Sequence, residues 1–482
     1  MGGVKLSKAW RLSRNVGSGL LILMLLGTPP LISGRSWSRG SGSSRESVQQ
    51  APPVYQRPVI DRGELLQATQ QMLHYVSELR GLPILHSVKA ALQSREEIRQ
   101  SLIKDLDERT TSDEFDASTK LLIKLGLVPR DFKYRELLIR IIEEQVAGYY
   151  RPKTKNLYLA DWLTLDEQNS VMVHELTHAL QDQHFRLERF SRLPKGQSDY
   201  ELAITSLIEG DATAVMLNHL LKPQRLDIAS IPIPLSAVFD QLQKSDDARI
   251  KVLNSAPPVI RESLLFPYAY GTTFVQYILI HSSWNRVSEA YADPPDSTEQ
   301  VLHPAKFLHR DYPVRIQLPR LEKVLGKSFV HRLFDTNGEF GYYLILSQYI
   351  DKGKARRAAE GWDGDQFALY ENKATGNTLL VLYSTWDSEA DAEEFARAYA
   401  ERTVARYPDA REVHPAREMT TRTWETAEGH VHLERQGLDV LILEGLDEAA
   451  MKKFPQLVKT LWQSRKVEMK PSAHRLPARP PR

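Results

Sequence analysis

The chain contains no cysteine, and this absence excludes several kinds of chemistry at once. Disulfide bonds, zinc sites built from thiolates, thiol nucleophiles and acylated lipoprotein cysteines are all ruled out. Net charge is also nearly absent, because 63 Lys and Arg residues balance 61 Asp and Glu residues. No basic stripe with interleaved aromatic residues occurs, so the sequence offers no reason to expect nucleic acid as a partner. What remains is a globular protein of 482 residues, long enough for two or three domains.

The N-terminal segment lacks an apolar run long enough for a comfortable transmembrane helix. Four basic residues precede a short apolar stretch from Leu20 to Leu26, and two prolines follow it. This order is typical of an export signal, so residues 1–34 are predicted to be a signal peptide. Because no A-x-A cleavage motif is present, an uncleaved signal anchor is the alternative. The protein is therefore expected outside the cytoplasm, with membrane contact only if this segment stays attached.

Changes in composition divide the rest of the chain. Residues 35–58 are rich in Ser, Gly, Gln and Pro, which predicts a disordered linker. Residues 59–350 show mainly helical periodicity, with a β-hairpin over residues 146–159. Residues 357–468 alternate strands and two helices, which indicates a domain of antiparallel strands with helices on one side. A basic, Pro-rich and disordered tail is predicted at residues 469–482. The predicted fold class is α+β.

One stretch of the sequence carries most of the chemical information. Residues 174–178 spell His-Glu-Leu-Thr-His, an H-E-x-x-H motif. On an α-helix, positions i and i+4 lie on the same face, so the His174 and His178 rings can reach one metal ion. Catalytic Zn²⁺ takes about three protein ligands and keeps one position open for water. Glu175 is rotated by roughly 100° from His174, which places it beside that water as a general base.

Local signals place this motif on a helix. Thr164 and Glu167 form the T-x-x-E pattern of a capping box, which predicts a helix from Leu165 to Gln183. The two histidines lie off the apolar side of that helix, so we expect it to form the floor of a cleft. The apolar stripe itself consists of Val173, Leu176 and Leu180.

The third protein ligand has two candidates. His184 follows His178 at metzincin spacing, but Gln181 stands where metzincins have the Gly that ends the helix. If the helix continues past Gln181, His184 points away from the metal. Glu209 lies on a second predicted helix, residues 200–220, whose small residues permit close packing against a neighbour. A His₂Glu site completed by Glu209 is therefore the preferred prediction.

Four further polar residues enter these predictions in lesser roles. Asp182 and Asp211 are candidates to orient a metal-bound histidine through a hydrogen bond. His430 and His432 lie two apart on a predicted strand and so face one side. A second metal site there is conceivable, but a solvated strand face is the preferred interpretation.

The residues around the motif resemble a known group of enzymes. The stretch from His174 to Asp182 is similar to the active-site helix of thermolysin-like gluzincins, and a downstream helix carrying Glu209 also fits their plan. Thr213 departs from it, because it stands where thermolysin's E-x-x-x-D pattern has Asp. Several segments also resemble an uncharacterised family of exported bacterial proteins with zincin-like domains: residues 145–150, 174–185, 208–212, 266–268 and 302–304. The resemblance implies a mainly helical zincin fold that holds Zn²⁺ and acts on a protein or peptide substrate.

Peptide hydrolysis also needs a group that stabilises the oxyanion. Gluzincins often use a Tyr or a His from outside the metal-binding helix. Tyr268 and His303 are the leading candidates because they lie in segments that match the resembling family, and Tyr270 is a weaker one.

Three functional hypotheses follow from these residues. The first is an exported zinc peptidase in which His174, His178 and Glu209 bind the metal and Glu175 is the base. The second is a non-catalytic envelope protein that keeps a zincin fold for binding or assembly. The third is a self-processing protease whose C-terminal domain binds its target. Glu175 favours the first, because a purely structural zinc site has no use for a base.

Overall fold

The computed structural model describes residues 60–242, 251–413 and 420–467. The predicted signal segment, linker and C-terminal tail lie outside the described residues. Within these ranges the protein is α+β, as predicted, with a large antiparallel sheet in its C-terminal part. No helix in this part of the chain combines the length and the hydropathy needed to cross a bilayer.

The N-terminal elements match the predicted pattern closely. They are α1 (Arg62–Arg80), β1 (Lys89–Gln93), α2 (Arg95–Arg109), α3 (Ser112–Lys124), α4 (Tyr134–Gln145), β2 (Gly148–Arg151) and β3 (Asn156–Ala160). The predicted hairpin is formed by β2 and β3, which pair antiparallel. Strand β1 was not predicted; it pairs parallel with β3 and completes a three-stranded sheet in the order β1-β3-β2.

A group of helices follows this small sheet. It comprises α5 (Asn169–Phe185), α6 (Ser198–Leu221), α7 (Leu235–Leu242), α8 (Lys251–Ser255), α9 (Pro258–His281), α10 (Trp284–Ala290), α11 (Thr298–Leu302) and α12 (Pro304–His309). Helix α6 packs between α5 and α9. Its contact with α9 is backbone to backbone, because a Cβ added at Gly210 would overlap the carbonyl group of Gly271. The close packing expected from the small residues of this helix is thus made most tightly with α9.

The C-terminal part contains the remaining elements. They are β4 (Arg315–Gln317), α13 (Glu322–Leu325), β5 (Phe329–Asp335), α14 (Gly338–Ser347), α15 (Lys352–Ala359), β6 (Trp362–Asn372), β7 (Thr378–Trp386), α16 (Glu389–Arg406), β8 (Arg411–Glu412), β9 (Thr421–Thr426), β10 (Gly429–Gln436), β11 (Asp439–Leu446), α17 (Glu448–Met451), α18 (Phe454–Leu461) and β12 (Arg465–Val467). Seven of the strands form one antiparallel sheet in the order β5-β6-β7-β11-β10-β9-β8.

The large sheet is covered on both faces, whereas helices on only one side were predicted. Leu380 and Leu382 of β7 point into the core shared with the helical part and α16. The alternate residues Leu379 and Val381 pack against α18 on the opposite face. Alternating side chains of a strand point to opposite faces, so a continuous apolar run in β7 indicates burial on both sides.

The helical and sheet parts share a hydrophobic core. Leu121 of α3 and Ile141 of α4 belong to the same buried cluster as Phe367 of β6 and Trp386 of β7. Strand β5, which precedes the predicted boundary at residues 350–357, is the edge strand of the large sheet. The two parts therefore pack as continuous structure around one apolar interior.

Candidate metal centre

Helix α5 is positioned by the small sheet that precedes it. The predicted capping box forms, with Thr164 and Glu167 exchanging backbone–side-chain hydrogen bonds of 2.8 and 3.2 Å. It closes a turn before the helix, which begins only at Asn169. The Gln168 side chain binds both the N–H and the C=O of Ala160 at 3.1 Å. This amide joins the start of α5 to the end of β3.

The helix is buried all the way round, so the expected open cleft is wrong for this structure. Residues 170–182 are all buried, and His174 and Glu175 are 0% exposed. The apolar side of α5 packs in a cluster with α1 and the small sheet. The polar side faces α6, which carries Glu209.

The predicted ligands come together. Nε2 of His174 lies 3.0 Å from Nε2 of His178, and Oε2 of Glu209 lies 3.2 and 3.3 Å from these two nitrogens. Ligands of a tetrahedral Zn²⁺ ion with bonds of about 2.0–2.1 Å stand about 3.3–3.4 Å apart. The triangle of three donor atoms can therefore hold a metal ion. Elsewhere in residues 60–242, 251–413 and 420–467, no other such group of His, Asp or Glu converges.

His174, His178 and Glu209 are called the triad below. The pKa of each of these side chains depends on the charge of at least one of the others. Burial opposes ionisation of Glu209, but the imidazoles of His178 and His174 outweigh it and hold its pKa at about 2. Burial likewise opposes the charged form of His178, yet the Glu209 carboxylate raises the pKa of this imidazole to about 9. For His174, burial prevails and lowers the pKa. Without a metal ion, the Glu209 carboxylate thus favours the charged form of His178.

Glu175 is held beside the triad and keeps one oxygen free. Its Oε2 accepts a 2.7 Å hydrogen bond from the backbone N–H of Tyr150 on β2. Its buried Oε1 has no hydrogen-bond partner among the described residues. Burial raises the pKa of Glu175 to about 8, although nearby His178 lowers it in part. The carboxyl group is therefore suited to exchange a proton near neutral pH.

His178 is oriented by an amide instead of a carboxylate. Its Nδ1 lies 2.8 Å from Oε1 of Gln181, and Nε2 of Gln181 donates to Asp211 at 3.1 Å. Asp211, one of the two predicted orienting residues, thus acts through Gln181. Asp182, the other, does not: its carboxylate accepts from the Tyr150 hydroxyl and from Lys155.

The two leading oxyanion candidates are placed very differently. Tyr268 on α9 is buried, with its ring centroid 6.3 Å from that of His174, and its hydroxyl lies beside the Glu209 carboxylate. Burial raises the pKa of Tyr268 well above its usual value, with the Glu209 and Glu175 carboxylates adding to the effect, so its hydroxyl keeps its proton. His303 instead pairs with Glu339 at 2.9 Å. Of the two, only Tyr268 is placed as a donor beside the triad.

The alternative histidines have other partners. Helix α5 continues past Gln181 to Phe185, and Nε2 of His184 binds the carbonyl oxygen of Pro83 at 2.7 Å. His432 is not on a solvated face, because it is 3% exposed and contacts Thr423 and Glu434. Neither His184 nor His432 joins the triad.

Two residues that connect to His178 by hydrogen bonds were not predicted, Gln181 directly and Arg80 through Asp211. Gln181 is three positions after His178, a spacing at which helical side chains are neighbours, so this contact had a signal in the sequence. Arg80 is the second: its guanidinium binds the Asp211 carboxylate at 2.6 Å. No local pattern links residues 131 positions apart.

The comparisons with known proteins concern the other part of the chain. A family model described as a domain of unknown function (DUF8575) matches residues 328–454. That segment begins at β5 and covers the large sheet, so the triad lies outside it. No curated protein and no solved structure matches this chain. The chemistry of the centre therefore rests on its own geometry.

Proposed function

We propose that this protein is an exported zinc-dependent peptidase of gluzincin-like type. The observation that carries the proposal is the convergence of His174, His178 and Glu209 at tetrahedral spacing, with Glu175 beside them. Two imidazoles and a carboxylate favour zinc over the harder cations, which prefer oxygen ligands alone. The basic and apolar N-terminal segment supports export.

A zinc ion bound here supplies Lewis-acid chemistry, which polarises a carbonyl group and lowers the pKa of water from ~15.7 towards ~7. Glu175 accepts the proton of the attacking water and delivers it to the leaving amine. The backbone N–H of Tyr150 holds one carboxylate oxygen, which leaves the other for this transfer. The Tyr268 hydroxyl donates a hydrogen bond to the oxygen that develops negative charge.

The burial of the site favours a second candidate, a non-catalytic protein in which the metal stabilises the fold. With His174 and Glu209 at 0% and 2% exposed, a peptide reaches the triad only if neighbouring segments move. Structural zinc sites are closed, whereas catalytic ones keep an open position. Glu175 argues for the peptidase, because its carboxyl group is buried at a cost that a structural site does not need.

The test is cleavage of a broad peptide library by the purified full chain and by Glu175→Gln, each with and without a chelator. The peptidase proposal expects chelator-sensitive cleavage by the parent. It also expects a loss of about 10²–10⁴-fold in Glu175→Gln, the usual contribution of a general base. Zinc content should be the same in both proteins.

His184→Ala is the matched control, because His184 lies on the same helix and binds only a backbone carbonyl in the structure. Its cleavage rate should equal that of the parent. If the parent binds zinc but cleaves nothing, the structural candidate is correct. Equal cleavage by Glu175→Gln would reject the assigned base.

A further inference from the structure

A chain of hydrogen bonds, called the relay below, runs from His178 through Gln181 and Asp211 to Arg80. The ability of His178 to bind a metal depends on which ring nitrogen carries the proton. An imidazole that offers the Nε2 lone pair must carry its proton on Nδ1. In this structure Nδ1 of His178 faces Oε1 of Gln181 at 2.8 Å. An amide can present either its oxygen or its NH₂ group, so Gln181 selects the correct ring form only if its own orientation is fixed.

Two acceptors fix the amide. The NH₂ group of Gln181 donates to the carbonyl oxygen of Ile208 and to the carboxylate of Asp211, both at 3.1 Å. Neither acceptor can donate a hydrogen bond, so a reversed amide would place its oxygen against two oxygens. The amide oxygen is therefore directed at His178. Gln181 is 0% exposed, so water cannot substitute for these contacts.

Asp211 is in turn held by the N-terminal helix. Arg80, in the last turn of α1, donates to both oxygens of Asp211 at 2.6 and 3.2 Å. Both side chains are at most 1% exposed, and the Tyr291 hydroxyl gives Asp211 a further hydrogen bond of 2.8 Å. The Arg80 guanidinium also lies over the ring of Trp284, 4.6 Å from its centroid.

We propose that Arg80 is a positioning residue of the metal centre, acting through Asp211 and Gln181 to hold His178 in its metal-binding form. Helix α1 is then part of the metal centre, because it supplies one of the residues that position a ligand. The inference rests on the metal-binding half of the proposed function and is independent of hydrolysis. Groups that orient metal ligands from behind typically contribute about 10–100-fold to metal affinity.

The experiment measures the affinity of the full chain for Zn²⁺ by competition with a chelating dye, and for Co²⁺ by its visible spectrum. Arg80→Met and the isosteric Asp211→Asn should each lower affinity about 10–100-fold. Arg80→Lys, which keeps the charge, should lose less. In the metal-free chain, at a pH high enough to leave the His178 ring neutral, ¹⁵N NMR should place its single ring proton on Nδ1 in the parent and distribute it over both nitrogens in Asp211→Asn.

Arg402→Met is the matched control, because Arg402 of α16 forms an equally buried ion pair with Glu444 of β11, away from the triad. It should keep the parent's metal affinity while it lowers stability. Parent-like affinity in Arg80→Met and Asp211→Asn, or an equal loss in Arg402→Met, would overturn the relay. If the parent itself binds no zinc, the proposed function fails instead.

Discussion

Gly210 and Gly271 bring the backbones of α6 and α9 into direct contact. A Cβ added at Gly210 would overlap the carbonyl group of Gly271, and one added at Gly271 would overlap the carbonyl oxygen of Ser206. Glu209 is the neighbour of Gly210 along the chain, and Tyr268 lies one helical turn before Gly271. This crossing therefore sets the positions of the proposed metal ligand and of the candidate oxyanion donor together.

Gly210→Ala should consequently damage both stability and the metal site. Neither backbone can yield without moving its helix, so we expect a loss of about 1–3 kcal/mol, typical of overpacking, together with weaker zinc binding. Thermal unfolding and zinc competition measure the two effects. Gly353→Ala is the control, since Gly353 is exposed near the start of α15 and alanine favours helix there. Unchanged zinc binding in Gly210→Ala would contradict the role of the crossing.

Glu209, and not His184, should prove to be the third protein ligand. Glu209→Ala removes a corner of the triad and should lower zinc affinity by more than about 100-fold, because even orienting residues contribute about 10–100-fold. His184→Ala removes a hydrogen bond to the Pro83 carbonyl and a ring contact with Phe185, both outside the triad, and should bind zinc like the parent. Elemental analysis of the dialysed proteins gives the comparison. The reverse result would indicate the metzincin arrangement.

The stabilisation conferred by zinc should grow as the pH rises from about 6.5 to 9. In the metal-free chain the pKa of His178 is raised to about 9 from an ordinary 6.5, so this group contributes stability below 6.5 that is lost as the pH passes 9. Glu175, whose pKa burial raises to about 8, acts in the same direction. The lowered pKa of Glu209 matters only below about 4.5. Zinc replaces the proton, so its effect is largest at high pH.

Calorimetry of the metal-free and zinc-loaded chains across this range measures the difference between their melting temperatures. We expect the difference to widen with pH. A constant difference would show that no proton competes with the metal at His178.

The helical part and the large sheet should unfold in one transition. Arg402 on α16 pairs with Glu444 of β11 and also donates to the carbonyl oxygen of Leu125, at the end of α3, at 2.6 Å. Arg402→Met leaves Glu444 paired with Arg406, so we expect a loss smaller than the about 3–5 kcal/mol typical of a buried charge that loses its partner. Calorimetry should show a single peak at a lower temperature. Two peaks would mean that the parts are thermodynamically independent.

Local patterns predicted most of the elements and the three residues that the structure brings together in the triad. The i, i+4 spacing of His174 and His178 and the helix-forming residue at Gln181 are properties of one helix, so the sequence sufficed to place them. The same holds for the large sheet, where strand-forming stretches between turn signals marked β6, β7 and β9 to β11. Strand β1 was missed because Lys-Ala-Ala-Leu-Gln has no β-branched or aromatic residue.

What the sequence could not reveal depends on distant contacts. The burial of α5 on every side follows from α1, the small sheet and α6 packing around it, and no periodicity within α5 contains that information. The pair of Arg80 and Asp211 and the crossing at Gly271 are likewise contacts between separate elements. The Thr164 capping box forms, yet the helix begins only at Asn169, directly after Gln168, whose side chain is bonded to Ala160 at the end of β3.

We propose that His174, His178 and Glu209 hold one zinc ion. Anomalous diffraction at the zinc absorption edge, from crystals of the full chain grown with zinc, locates that ion. We expect one strong peak bounded by Nε2 of His174, Nε2 of His178 and Oε2 of Glu209. A peak at His184 or His432 with none at the triad, or no peak at all, would contradict it.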